Sequence, residues 1–463
     1  MKGNKANLTE HSHTEHSDVN HNSDEKGRVE ANCSENSGFE QNSIEKNSIE
    51  KNSIEKNSIE KNSIAPSSSE ANASALYEVE LVDAIDKVSA DSWNALMHDN
   101  NPFNRYEFLA ALESSKSVCR ETGWTPLHIV IRGRANETEA VIAVMPMYIK
   151  AHSYGEYVFD WAWADAYERH QLAYYPKLVS SIPFTPVTGM RLGMPADLPS
   201  EIQQTLWQLV GQTLNRCLTE YGFSGWHCLF LPKTQCDDFS RQANMQRLGT
   251  QFHWFNRDYS DFQAFLSALT SRKRKDINKE RQKVQRVNLS FEFVEGADVT
   301  AELWQIFSAC YQQTYAKRSG HYGYLNLAFF QTLGESMSES IVLLLVRDLN
   351  EQIIASALYF KSATHLFGRY WGALTEIDGL HFEACYYQGI EYCIANGLKV
   401  FDAGAQGEHK VPRGFEPIET YSNHEIAHSE FRLAIQSFTL QEADNIKTYM
   451  QQLKSKLPYK NRD

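Results

Sequence analysis

Apolar and polar positions follow two rhythms along most of this chain, and neither rhythm appears in the first 75 residues. There the unit Asn-Ser-Ile-Glu-Lys recurs, with Ile at 44, 49, 54, 59 and 64. A step of five scatters these side chains around a helix axis and alternates them between the faces of a strand. No buried stripe results. The pattern predicts a disordered, low-complexity tail over 1–75.

From Leu76 onward the elements alternate. Strands are expected at Tyr77–Val82, Leu127–Ile131, Ala140–Tyr148, Tyr157–Trp161, within Thr185–Leu192, and at Trp226–Leu231. Helices are expected at Ser89–Met97, Arg105–Glu113 and Glu201–Tyr221. A second series begins near Phe252. It has helices over Asp261–Leu269, Asp298–Lys317 and Asn326–Met337, and a strand at Leu289–Val294. Three apolar strands follow, Ile341–Arg347, Ile353–Lys361 and His365–Trp371. Then come a helix His381–Asn396 stopped by Gly397, a short strand Lys399–Ala403 and a helical end, Ser429–Leu453. The fold class is α/β with mixed sheets. It divides into a tail (1–75), a first domain (76–250) and a second domain (251–463).

Composition changes this picture little. The net charge of −13 argues against general nucleic-acid affinity but permits a local basic patch. No h-region and no membrane-length apolar run stands out, and the scattered cysteines suit a reducing compartment, so a cytoplasmic protein is expected. One segment reverses the charge. Arg272 to Arg286 carries eight basic residues against Asp276 and Glu280, a surface able to meet RNA or an anionic precursor, or simply a solvated helix face.

The second series has the order of a GNAT core: helices, an antiparallel trio, a crossover helix, then a strand parallel to the third. The segment Gly379–Phe415, with Gly404-Ala-Gln-Gly-Glu-His-Lys410 and Arg413-Gly-Phe415, resembles the second domain of Fem-type peptidoglycan aminoacyltransferases. The basic run Ser271–Arg281 resembles their entry into that domain. Segments 101–113, 153–169, 368–373 and 404–410 are similar to the FemAB-like peptidoglycan biosynthesis/recognition proteins over about 76–455. The resemblance implies a tandem acyl-CoA N-acyltransferase (GNAT-like) fold of two related halves. It also implies transfer of an acyl or aminoacyl group to an amine, with a link to cell-wall precursor metabolism.

Such chemistry needs donors at the acyl oxygen, a group to take the amine proton and a cradle for the carrier. By resemblance the cleft opens where the third strand and its parallel neighbour splay, at Arg369-Tyr370-Trp371 and Asp402-Ala403-Gly404. The glycine loop that follows crowds Glu408, His409, Lys410 and Arg413 together, with Gln406 beside them. His409 or Glu408 can take a proton; Lys410 or Arg413 can steady an oxyanion or phosphate. His381 and Glu383 open the crossover helix nearby. Asp160, Trp161 and Asp165 form an acidic aromatic stretch in the first half that suits a sugar or an amine, or packs a domain interface.

The donor is left open between acetyl-CoA and an aminoacyl-tRNA, the latter at Arg272–Arg286. The coenzyme A loop pattern Arg/Gln-x-x-Gly-x-Gly/Ala is met by Arg369-Tyr-Trp-Gly372-Ala-Leu374, with Leu in the last small position. No spacing matches a metal motif. The rival readings are a non-catalytic binding protein on a degenerate acyltransferase fold and an acetyl-CoA-dependent N-acetyltransferase.

Overall fold

The computed structural model describes residues 76–135, 138–242, 244–405 and 407–460. The expected tail and Gln406 lie outside them. In chain order the first half contains β1 (Tyr77–Val82), α1 (Ala90–Leu96), α2 (Tyr106–Ser114), β2 (Trp124–Pro126), β3 (His128–Ala135), β4 (Thr138–Met145) and β5 (Tyr148–Lys150). It continues with α3 (Trp161–Arg169), β6 (Lys177–Ser180), α4 (Ser200–Tyr221), β7 (Gly225–Leu231), α5 (Lys233–Ser240) and β8 (Met245–Phe255). The second half contains α6 (Phe262–Ala268), α7 (Ser271–Gln285), β9 (Ser290–Glu295), α8 (Ala301–Ser319), α9 (Leu327–Ser336), β10 (Ile341–Arg347), β11 (Ile353–Lys361) and β12 (His365–Ala373). Then come α10, whose turns run Leu380–Phe382, Glu383–Tyr387 in π geometry and Gln388–Ala395, followed by β13 (Val400–Asp402), β14 (Glu416–Ile426) and α11 (Ser429–Ser455).

β1, β3 and β4 form a small antiparallel sheet. The other strands form one sheet in the order β2-β5-β6-β7-β14-β8-β13-β12-β11-β10-β9. Its two ends repeat a pattern. β2-β5-β6 is an antiparallel trio, and β7 runs parallel to β6 after the crossover α4. β10-β11-β12 is the second trio, and β13 runs parallel to β12 after the crossover α10. This is the GNAT order expected from the sequence, present twice. The last strands are exchanged: β8, from the first series, pairs with β13, while β14, from the second, pairs with β7, and the two pair with each other at the sheet centre.

Two sequence expectations fail. Tyr157–Trp161 is not a strand: it is a bend, with Tyr157 at a φ of 62°, leading into α3. Thr185–Leu192 is a buried irregular loop, and the strand before it is β6. Both segments hold apolar side chains, but their backbones bend around buried charges: Glu156 and Asp160 reach Lys177 from the first, and Arg191 in the second donates to the carbonyls of Val187, Gly189 and Met190. β8 and β14 were not anticipated.

The halves share a core. Phe103 and Phe108 of the first half meet Phe360, Phe367 and Phe329 of the second with ring centroids 4.8–5.9 Å apart. The other sheet face buries separate clusters under the two crossover helices. Helix α8 lies so close to β12 that a Cβ on Gly372 would sit 2.0 Å from the Cys310 carbonyl carbon and oxygen. Backbone cannot yield as a side-chain tip can, so Gly372→Ala is expected to lose about 3 kcal/mol of stability in urea unfolding. An unchanged midpoint would contradict this packing.

Candidate active site

Register sets the site. His365, Leu366 and Phe367 of β12 pair with Val400, Phe401 and Asp402 of β13, and the strands then part. At the fork Arg369 gives Nη2 to Asp402 Oδ2 (2.6 Å) and Nη1 to the Asp402 carbonyl (3.2 Å), both side chains about 1% exposed. The guanidinium holds the Asp402 carboxyl well below the usual carboxylate range despite burial. Arg369 therefore clasps the fork rather than reaching into open space. Tyr370 turns to the first half, its hydroxyl 3.3 Å from Thr185 Oγ1.

Beyond the fork a cleft of about 460 Å3 opens at the end of β12 and the start of α10. Its walls include Thr314 and Arg318 of α8, Trp371 of β12, and His381. His381 lies against Trp371 and Tyr386, at 5.9 and 5.5 Å. Burial, and then the charges of Arg318, His409, Lys410 and Arg413, lower its pKa to about 4, so it is neutral at pH 7. Four positive or protonatable groups thus bear on one ring. Arg318, exposed and with no ion pair among the described residues, had no signal in the sequence beyond an ordinary helix C-terminus.

The 408–413 segment is a tight 3₁₀ helix, entered through Gly407 at a φ of 113°. Three residues per turn send neighbours in different directions. Glu408 faces outward and accepts from Tyr449 of α11 (2.6 Å). The His409 Nε2 is 2.8 Å from the Tyr386 hydroxyl, and its pKa is lowered by burial and by Lys410 and Arg413. Lys410 points inward, is buried, and donates to the carbonyls of Ala403 (2.9 Å) and Gly404 (2.6 Å). Burial lowers its pKa to about 8. Arg413 lies over the Phe382 ring and forks onto Glu280 of α7.

Glu383 is not free to bind substrate: Arg281 holds both its oxygens, at 2.8 and 3.1 Å. The run 272–286 forms the basic helix α7, and Lys283 joins it to Asp378 at the cleft rim (2.7 Å). Arg272, Lys273, Arg274, Lys275, Lys279 and Arg286 have no ion pair among the described residues.

In the first half, Asp160 is separate from this cleft. The buried Lys177 of β6 binds Ser153 Oγ (2.8 Å), Glu156 (2.8 Å) and Asp160. Tyr174 also donates to Asp160 (2.6 Å). Burial raises Glu156 to about 7, while Lys177 holds Asp160 well below the usual range. Trp161 is partly exposed beside Tyr154, and Asp165 is exposed on α3. Lys177 was not anticipated from the sequence, although a lone Lys opening the apolar run Leu178-Val179 is the available signal. Among the described residues no group of three or more His, Cys, Asp or Glu side chains could hold a metal ion, and no helix is long and apolar enough to cross a membrane.

A parallel strand pair that forks below the start of a crossover helix, built twice into one sheet, defines a tandem GNAT-type protein. The chain belongs to the FemAB-like family, described as peptidoglycan biosynthesis/recognition, whose match spans residues 84–461. Similar solved structures include FemX (12% identity, 75% of this chain and 98% of that chain, TM-score 0.45). They also include L-PGS from Bacillus licheniformis (8%, 73% and 96%, 0.41) and the Saccharomyces cerevisiae N-myristoyltransferase (11%, 76% and 80%, 0.32). A comparison with curated protein sequences gives no match.

The fork makes a prediction. Asp402→Asn leaves Arg369 buried without its counter-charge and should cost about 3 kcal/mol in urea unfolding at pH 7. Because the folded pKa of Asp402 is depressed, the wild-type advantage is complete above about pH 4. It disappears as pH falls through the lower, folded value. A pH-independent difference would contradict the pairing.

Proposed function

We propose that this protein transfers an acyl or aminoacyl group from a polyanionic carrier to an amine acceptor, at the cleft beyond the β12–β13 fork. The observation that supports this reading is His381 at the opening of α10: it lines the cleft with Arg318 and feels the charges of Arg318, His409, Lys410 and Arg413. Lys317 and Lys283 neutralise Glu376 and Asp378 at the rim, which leaves Arg318 to meet a phosphate-bearing donor. Neutral His409, braced by Tyr386, is suited to take the proton of the attacking amine. Lys410, fixed by two carbonyls, supplies positive charge where the acyl oxygen becomes an oxyanion. Arg369 and Asp402 position both strands without touching substrate.

Of the two donors, aminoacyl-tRNA is the better supported. The amides that a coenzyme A pyrophosphate would seek after β12 are engaged: Ala373 N–H by Thr314 Oγ1 (3.1 Å) and Leu374 N–H by the Ile354 carbonyl (2.8 Å). α7 meets the same rim through Lys283, and its unpaired cations favour a longer polyanion. A cell-wall precursor is the acceptor class that the family description favours.

Thermal unfolding of the full chain with charged tRNA, acetyl-CoA and free coenzyme A tests the donor. A shift with charged tRNA alone is expected; a shift with a coenzyme A form alone would replace this reading with acetyl transfer. The rate of transfer carries its own signature. Lys410 is cationic below its pKa of about 8, so activity should fall as pH rises through that value. A rate that climbs through pH 8 would give Lys410 the opposite role, that of a base.

A further inference from the structure

The outward face of α11 carries leucines where a solvated helix face carries polar residues. Its buried positions, Ile435, Thr439, Met450 and Leu453, turn toward the rest of the fold. On the other side Glu430, Leu433, Ser437, Leu440, Asp444 and Lys447 are all exposed. Leu433 and Leu440 are each 66% exposed. The long crossover helix α4 shows the ordinary case: its exposed positions include Gln204, Gln208, Arg216 and Glu220.

The two leucines do not stand alone. α3 lies alongside the first half of α11. Phe431 meets Tyr167 and His170 with ring centroids 4.3 and 5.3 Å apart, and Arg247 donates both to the Phe159 carbonyl (2.8 Å) and to Glu442 (2.7 Å). Phe159, Trp161 and Leu172, at the two ends of α3, and Phe438 of α11 are exposed as well. With the leucines they leave roughly 600 Å2 of surface in water. That is the upper end of what a monomer shows in one patch, and it approaches the ~800 Å2 per partner of a standard interface. The surrounding charge excludes two kinds of occupant. Asp165, Glu168, Glu430 and Asp444 are exposed there against Arg169 and Lys447, so a nucleic acid or an anionic bilayer would be repelled.

Spacing identifies the occupant. From Glu430 to Lys447 the exposed positions advance by alternating steps of three and four, the seam of a helix pair. Two copies of α11 laid parallel would set Glu430 on Glu430 and Asp444 on Asp444. Laid antiparallel about a two-fold axis, they set Glu430 of each copy on Lys447 of the other. Ser437 then meets Leu440, the small serine leaving room for the leucine. Leu433 falls beside Asp444, the one layer without complementarity, which keeps the pairing weak. We propose that this face joins two copies of the chain through an antiparallel α11 pair, flanked by Phe159 and Trp161. The surface belongs to α3 and α11, so the assignment is independent of the transferase reading.

Sedimentation velocity of the full chain from about 1 to about 100 µM tests it. Growth from monomer to dimer across that range is expected. Leu440→Glu should leave a monomer throughout. Lys447→Glu sets like charges together at both ends of the seam and should weaken the dimer about tenfold. Adding Glu430→Lys reverses the other member of each pair and should restore the affinity to within about threefold. All three variants alter exposed side chains and should keep the unfolding midpoint of the dilute monomer within about 2 °C; the charge swap alone decides the matter if Leu440→Glu disturbs folding. A monomer at about 100 µM, a dimer indifferent to Leu440→Glu, or a swap that fails to restore what Lys447→Glu removes would overturn the proposal. So would a monomer that floats with phosphatidylcholine vesicles through Leu440, which would assign the face to a lipid surface.

Discussion

The exchange of final strands is the constraint on which the rest of the structure depends. β8 and β14 lie side by side at the sheet centre, each hydrogen-bonded on its outer side to a strand of the other half. Neither fork is therefore complete within its own half. Asp402 finds His253 only because β8 has crossed, and His227 finds His424 only because β14 has. The aromatic core shared by Phe103, Phe329 and Phe360 ties the halves a second time. Two halves locked in this way give fixed clefts at their junction instead of a hinge.

Charge is used differently at the two forks. In the first half Lys177, Glu156 and Asp160 are buried together and satisfy one another, apart from the unpartnered Glu156 Oε1 and Asp160 Oδ1. A buried network of that kind fixes geometry. In the second half Arg369 and Asp402 do the structural task at the fork, and Arg318 stands without an ion-pair partner among the described residues at the cleft beyond it. Burial and mutual repulsion keep His381 and His409 neutral and lower Lys410 toward physiological pH. Groups so tuned in a cleft are the usual substance of acid–base chemistry.

Much of this was legible from residue pattern. Ile341–Val346 is buried on both faces, so its unbroken apolar run reads as a strand. The glycines at 404 and 407 marked the loop that delivers Lys410. β14 escaped notice because its polar residues have partners that only the fold supplies: Asn423 bonds Cys236 O, Ser240 and Asn244, and His424 faces His227. The strand expected at Tyr157–Trp161 failed for a related reason: Glu156 and Asp160 must both reach Lys177, which bends the backbone between them. Glu408 was grouped with its neighbours in sequence, but the pitch of a 3₁₀ helix turns it toward α11. Arg318 comes from a helix distant in sequence, and nothing local advertises it.

The central claim is that the 409–410 pair performs chemistry instead of merely gripping a ligand. The most direct measurement compares aminoacyl transfer with donor affinity in His409→Gln and Lys410→Met. The account predicts that each substitution slows transfer about a hundredfold or more, with donor affinity changed less than about threefold. Affinity lost in step with transfer, or transfer left intact, would contradict it and favour a binding protein on an acyltransferase fold.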